Sequence, residues 1–305
     1  MVKRHFDQQA SSKPGTLLGD IARKGRGAVS NSSGRYESFV HEAFDDGWNS
    51  TDEAAETLKT TLSVDTASRV ITYNRSPDVG FDRSVNPYRG CEHGCVYCFA
   101  RPTHTWLGLS AGLDFESRLF YKPDAPERLR EELAEPKYQC QPLALGINTD
   151  AYQPVERKIG LTRRILEILC EVNHPVTLVT KSALIERDFD ILTKMAAKGL
   201  VSASISITTL NRNLARRLEP RAAAPERRIE TLHRIAAAGI PAGLLLAPVI
   251  PVLTDGEMEK ILRTAREAGA LSAAYVLIRL PHEVATLFGQ WLTAHEPLKA
   301  DHVLS

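Results

Sequence analysis

Cysteine is scarce in this chain, with five in 305 residues, far too few for the disulfide-dense framework that staples small secreted domains. Long apolar runs are missing as well. The longest, Leu244–Leu253, is broken by two prolines and falls well short of the ~20 residues a bilayer-crossing helix needs. The opening stretch M-V-K-R-H-F-D-Q-Q-A-S-S-K-P-G has no apolar h-region, so no secretory leader is expected. Net charge is almost absent, at +1, and gives no bulk preference for acidic or basic partners. What remains is an ordinary globular composition, 43% hydrophobic and 25% charged; with no leader or bilayer-length run apparent, the chain is expected to be cytoplasmic with its thiols reduced.

The charge that exists is unevenly spread. From Met1 to Arg35 seven Lys or Arg face two Asp, whereas from Tyr36 to Asp65 eight acidic residues face one Lys. The first stretch is rich in Gly and Ser and can bury little, so it is expected to be disordered on its own. A solvated tail is the plain expectation for it, and an arm touching nucleic acid the sharper one. The second reads as an acidic, weakly helical lead-in. Residues 1–66 therefore form an irregular extension, and 67–305 the main domain.

Within that domain, short apolar runs alternate with amphipathic stretches. Arg69–Tyr73 alternates as a strand, and Ser76-Pro77 with Gly80 marks a turn. Strands are then predicted at 84–88, 142–147, 175–180, 201–208, 241–248 and 274–279. Helices are predicted at 124–135, 158–173, 186–198, 211–238 with a break near Pro220, 255–268 and 283–295. Single helices between successive strands make βαβ units and a parallel α/β sheet. Right-handed crossovers wind such a series into a flat sheet or a barrel, and periodicity alone does not choose.

Three of the five cysteines fall within eight positions, Cys91-Glu-His-Gly-Cys95-Val-Tyr-Cys98. Iron–sulfur clusters take cysteine thiolates, normally four. A C-x3-C-x2-C loop supplies one too few for a [4Fe–4S] cluster, which leaves an open coordination position of the kind where metal sites do chemistry. Structural zinc is the alternative and needs a fourth ligand from His93, His104, Cys140 or Cys170, yet no second C-x2-C or H-x3-H follows. Cys140 and Cys170 read as ordinary idle or buried thiols.

Active sites of parallel barrels are built at strand C-termini, and those ends carry polar groups here. The second strand runs into Asn148-Thr-Asp-Ala-Tyr-Gln-Pro-Val-Glu156, which also suits a helix cap. The third ends in Thr180-Lys-Ser182, and on the fourth Ser204, Ser206 and Thr208 share one face. Beyond it Arg212, Arg216, Arg217, Arg221, Arg227, Arg228 and Arg234 face only Glu219, Glu226 and Glu230. This is a solvated, ion-paired helix by default and a phosphate-binding rim as the alternative. The fifth strand offers Ala247-Pro-Val-Ile-Pro251, and the sixth ends in Arg279-Leu-Pro-His-Glu283, a candidate for substrate contact.

The cysteine loop resembles that of radical S-adenosylmethionine (SAM) enzymes, with Tyr97 in the aromatic position. Ser76-Pro-Asp78, Asn86–Cys95, Tyr97–His104, Asp114-Phe-Glu116, Asn148-Thr-Asp150, Tyr152-Gln-Pro154, Thr180-Lys-Ser182 and Glu219-Pro-Arg221 are similar to the bacterial branch related to spore photoproduct lyase. The resemblance implies a partial (β/α)6 barrel of TIM type and a [4Fe–4S] cluster on Cys91, Cys95 and Cys98. It implies Tyr97 and Phe99 along the adenine of SAM, with Thr149, Asp150, Lys181 and Ser206 as further SAM contacts. It also implies an electron donor of flavodoxin or ferredoxin type, and nucleic acid as the substrate class. Two departures stand out. Ile147 occupies the place of the lyase's hydrogen-donor cysteine, and the chain stops at Ser305, where members of the group usually continue. A four-cysteine electron carrier or a zinc-binding interaction module are the rival readings.

Overall fold

A computed structural model describes residues 23–37, 58–75 and 80–304. The turn expected at Ser76-Pro77 and most of the basic and acidic N-terminal stretch lie outside them.

Among the described residues β1 (Thr61–Val64), β2 (Ile71–Tyr73), β3 (Arg83–Val85) and β4 (Tyr88–Arg89) precede the cysteine loop. Next come α1 (Leu113–Ser117), β5 (Arg118–Tyr121), α2 (Ala125–Leu133), β6 (Leu143–Leu145), α3 (Glu156–Ile159), α4 (Leu161–Glu171), β7 (Val176–Thr180) and α5 (Phe189–Ala196). The chain goes on through β8 (Val201–Ser206), α6 (Arg212–Leu218), α7 (Pro225–Ala237), β9 (Ala242–Val249), α8 (Met258–Glu267), β10 (Ser272–Leu277), α9 (Glu283–His295) and α10 (Ala300–Leu304).

The main sheet runs β2-β3-β6-β7-β8-β9-β10. From β3 to β10 every neighbour pair is parallel, and only β2 is antiparallel, against β3. Six parallel strands with intervening helices make the expected partial (β/α)6 barrel. The expected break near Pro220 separates α6 from α7, where Asn211 caps α6 by accepting from the Asn213 and Leu214 N–H groups and Pro225 opens α7. The core lies between strands and helices, where Leu178, Ala203, Ile205 and Leu244 meet Ile165, Leu192, Leu232 and Ile235. No helix among the described residues is long and apolar enough to cross a membrane.

The strand predicted at 84–88 is two strands. Pro87 has no N–H to donate, and past it the chain leaves the barrel sheet: Tyr88–Arg89 pairs with β5, which pairs with β1. That three-stranded side sheet was not foreseen. Thr61–Val64 lay in a segment read as weakly helical, and its side chains are exposed, so no buried face marked it as a strand. The irregular extension also differs from a solvated tail. Arg26–Ser30 has no regular structure, yet all five residues are buried.

Candidate active site

The cysteine loop starts where β4 ends and is held by its backbone. Cys91 N–H donates to Phe115 O (2.9 Å) and Val96 N–H to Leu218 O (3.1 Å). Glu92 N–H donates to Gln153 Oε1 (2.9 Å), and Gln153 Nε2 returns a bond to Gly90 O (3.1 Å). Three separate elements thus fix the amides and leave the thiols of Cys91, Cys95 and Cys98 free. Burial pushes all three thiols up, and for Cys95 the Glu219 carboxylate adds to it, taking it to about 12. The protonated form is therefore favoured until a cation displaces the proton, as metal binding to thiols does.

Around Cys95 the structure gathers several of the predicted residues. Lys181 Nζ, at the end of β7, donates to Ser206 Oγ at the end of β8 (2.7 Å) and reaches Ala247 O (3.4 Å). The same ammonium lies 5.9 Å from the Tyr97 ring centroid and 3.7 Å from Glu219. Tyr97 donates its hydroxyl to Glu219, which also accepts from Thr208 (2.7 Å) and pairs with the buried Arg228. Burial opposes ionisation of Glu219, but Arg228 and Lys181 outweigh it and bring its carboxyl down to about 2. Thr208 was expected to share an inward row of hydroxyls with Ser206, and Arg228 to belong to a phosphate-binding rim; Arg228 is instead spent on Glu219. Glu219 was visible only as a letter in a motif and was not foreseen as part of the site.

Thr149 and Asp150 sit one strand over, in the loop after β6. Thr149 donates to Tyr88 O (3.0 Å). Asp150 accepts from Tyr152 N–H (2.8 Å), Thr180 Oγ1 (2.7 Å) and Lys181 N–H (2.8 Å), with His93 Nδ1 at 3.3 Å. Burial raises its pKa, His93 and the donors lower it further, and the balance is about 2. With its oxygens so engaged, Asp150 ties the ends of β6 and β7 to the cysteine loop. Phe99 is 54% exposed just after Cys98. Glu283, expected at the end of the sixth strand, is the first residue of α9 and pairs with Arg35 of the N-terminal segment (2.5 Å).

The arginines after β8 are mostly spent. Arg217 pairs with Glu296, Arg221 with Glu92, Arg227 and Arg234 with Glu186 and Glu230, and Arg228 with Glu219. Arg212 and Arg216 remain, without a carboxylate partner among the described residues. They border a cavity of about 220 Å³ that reaches Glu219 and Arg228.

Cys91, Cys95 and Cys98 offer three free thiols, the donor type that iron–sulfur clusters take. No three His, Cys, Asp or Glu among the described residues converge as ligands of one ion must, whereas a cluster takes one thiolate per iron. The other conceivable ligands are engaged or distant. His93 faces Asp150, and His104 gives Nε2 to Arg118 O (2.9 Å) while packing edge-on to Phe115. Cys140 and Cys170 precede β6 and β7, at the opposite ends of the strands.

The family model of the Radical SAM superfamily matches residues 85–265. An uncharacterized protein of Mycobacterium tuberculosis is 35% identical over 219 residues, which is 71% of this chain and 64% of the relative. One from Methanocaldococcus jannaschii is 28% identical over 173 residues, 57% of this chain and 62% of the relative. The chain thus spans less than two thirds of the length of these relatives. Solved structures of spore photoproduct lyase superpose with a TM-score of 0.57 at 14–16% identity, covering 75% of this chain and 66% of theirs. One of these carries bound AdoMet and a dinucleoside spore photoproduct. With well over half the chain matched, and the cysteine loop seated at the C-terminal ends of six parallel strands, this chain belongs to the radical SAM superfamily of enzymes, which generally use a [4Fe–4S] cluster and SAM.

Proposed function

We propose that Cys91, Cys95 and Cys98 hold a [4Fe–4S] cluster and that SAM binds beside it as the ligand of the remaining iron. The observation that carries this is the meeting of Lys181, Ser206 and Tyr97, from three elements, next to Cys95. Supplied with one electron by a donor of flavodoxin or ferredoxin type, the cluster would provide reductive cleavage of the S–C5′ bond of SAM to methionine and a 5′-deoxyadenosyl radical able to abstract hydrogen from the substrate.

The chain's own residues bind and orient. Lys181 offers a compact charge for the SAM carboxylate, and Ser206 beside it offers a hydroxyl. Tyr97 and Phe99 flank the adenine, and Thr149 lies on the neighbouring strand end. Asp150 contributes by fixing the Lys181 backbone and His93 in place. The buried Glu219–Arg228 pair holds the Tyr97 hydroxyl. Water is limited on the Lys181 side of the group, where Ser206, Thr208 and Glu219 are each at most 2% exposed.

Nucleic acid is the proposed substrate class. The dinucleoside bound to spore photoproduct lyase supports it, as do Arg212 and Arg216, which keep free guanidinium groups for phosphate beside the cavity. Dimer-lyase chemistry is not part of the proposal, because Ile147 has no transferable hydrogen of the thiol kind. Anaerobic reconstitution followed by dithionite and SAM is the test. Roughly four irons per chain and release of 5′-deoxyadenosine are expected, and Cys95→Ala should lose both the brown absorbance and the product. If the wild type takes up iron and sulfide and binds SAM but yields no 5′-deoxyadenosine, the enzyme reading is wrong.

A further inference from the structure

Glu116, from the Asp114-Phe-Glu116 motif, has no part in the chemistry above, yet its side chain is fully buried beneath the cysteine loop. Its Oε2 accepts from Gly27 N–H (2.9 Å), and its Oε1 accepts from Ala28 N–H (2.8 Å) and from Arg101 (2.5 Å). Arg101, also fully buried, gives its other donors to the carbonyls of Gly94 (3.2 Å), Cys95 (2.9 Å), Ala111 (3.0 Å) and Gly112 (2.9 Å). One carboxylate and one guanidinium therefore join the N-terminal segment to the backbone of a cluster cysteine.

The fit between segment and loop is steric as well as polar. A Cβ on Gly27 would lie 1.8 Å from Gly94 O and 3.3 Å from Val96 N. Those are backbone atoms held by other bonds, so no side chain can swing aside to make room. A Cβ on Gly112 would fall 2.2 Å from Ser30 O. Glycine is required at both positions because backbone meets backbone. Arg26 closes the junction by donating to Glu116 O (2.6 Å), and Ser30 Oγ reaches Gln290 of α9 (2.6 Å).

We propose that Arg26–Ser30 is a strap that locks the cysteine loop in its ligating shape, with Glu116 and Arg101 as the positioning residues that carry its grip to Gly94 and Cys95. The role of the loop as cluster holder rests on the function proposed above; the lock itself does not. An apo chain with a loosened strap keeps its barrel but presents a loop whose thiols sample many arrangements.

Hydrogen–deuterium exchange on the reduced, metal-free full chain tests the lock directly. Gly27→Ala should speed exchange across residues 91–98 at least about tenfold, and quicken alkylation of the three thiols, while β7 and β8 keep wild-type protection. Gly256→Ala, whose added Cβ meets nothing within 4 Å, should leave the loop unchanged. Should Gly27→Ala unfold, Glu116→Gln decides: it is nearly isosteric but sets an amide N–H2 against one strap N–H, and it should loosen the same peptide. Wild-type loop exchange in whichever of these variants folds overturns the proposal. Iron and sulfide uptake by the wild type is scored separately, so failure of the cluster reading is told apart from failure of the lock. If the cluster does load, Gly27→Ala should release it to a chelator faster than wild type.

Discussion

At the residue scale the site turns on buried ionisable groups whose charge state is set by their neighbours. Glu219 is the strongest case. Its carboxyl is held at about 2 in the folded chain against an ordinary 4.5, so the stabilisation it brings is complete above pH 4.5 and is lost only as the pH falls towards 2. Glu219→Gln leaves Arg228 buried without its counter-charge, and breaking a buried pair from one side costs about 3–5 kcal/mol. Urea unfolding at pH 7 checks this, and a loss under about 1 kcal/mol would mean the pair is worth no more than a surface one.

His104 is shifted in the same direction, but there the neutral form is the one favoured. Burial brings it down to about 4 from 6.5, a little relieved by its bond to Arg118 O. The unfolded chain therefore takes up the proton first, and stability declines as the pH falls from 6.5 to about 4, by about 3 kcal/mol in all. His104→Gln cannot titrate, so its urea midpoint should change less between pH 7 and pH 4.5 than that of the wild type. Equal slopes for the two proteins would clear His104 of the effect.

At the scale of elements, the barrel's inner face is set by close contact between β8 and β9. A Cβ on Gly243 would sit 2.5 Å from Ser204 Oγ and 3.1 Å from Ser272 Oγ. Gly243→Ala should cost about 1–3 kcal/mol as an overpacked site. Ser204→Ala in the same chain should recover most of that loss, because the obstructing oxygen is gone. A thermal-melt cycle of the two single variants and the double variant measures the coupling. If the two changes add with no interaction, the tight contact is not what Gly243 is there for.

Most of these elements could be read from the sequence. The Val- and Thr-rich run of β7, the alternation of β8 and the apolar run of β9 marked those strands within a few positions, since a strand shows itself by its apolar face. The helices carried their own stop and start signals, Pro225 and Asn211 among them. The side sheet of β1, β5 and β4 escaped because its pairing partners lie far apart in the chain and β1 is exposed. The strap escaped for a related reason. Gly, Ser and Arg are poor at burying themselves, and Arg26–Ser30 is buried only because Glu116 and Arg101 wait for it in another part of the chain.

At the scale of the whole molecule, pairing has used up most of the basic cluster after β8, and among the described residues Arg212 and Arg216 of that cluster find no carboxylate partner beside the cavity. If the chain grips nucleic acid there, affinity for a DNA duplex or single strand should fall steeply with salt. Arg212→Ala and Arg216→Ala should each lower the slope of log affinity against log salt by about 1. Salt-insensitive binding, or slopes the two variants do not move, would turn attention to a peptide or small molecule.

The sequence by itself determined the chemistry that the chain can offer. The spacing of Cys91, Cys95 and Cys98, and the polar ends of successive strands, are local facts that survive in one dimension. Tertiary structure alone decided which of the polar residues meet. It brought Lys181, Ser206 and Tyr97 together around Glu219 and Arg228, paired five of the seven arginines with carboxylates, and drew Arg26–Ser30 under the cysteine loop. The physical reason is the cost of burying charge. A carboxylate or guanidinium enters the interior only with its counter-charge and its hydrogen bonds complete, and those partners lie in other elements, 9 residues away for Glu219 and Arg228 and 88 or 89 for Glu116 and the amides of Ala28 and Gly27, where no periodicity in the sequence points to them.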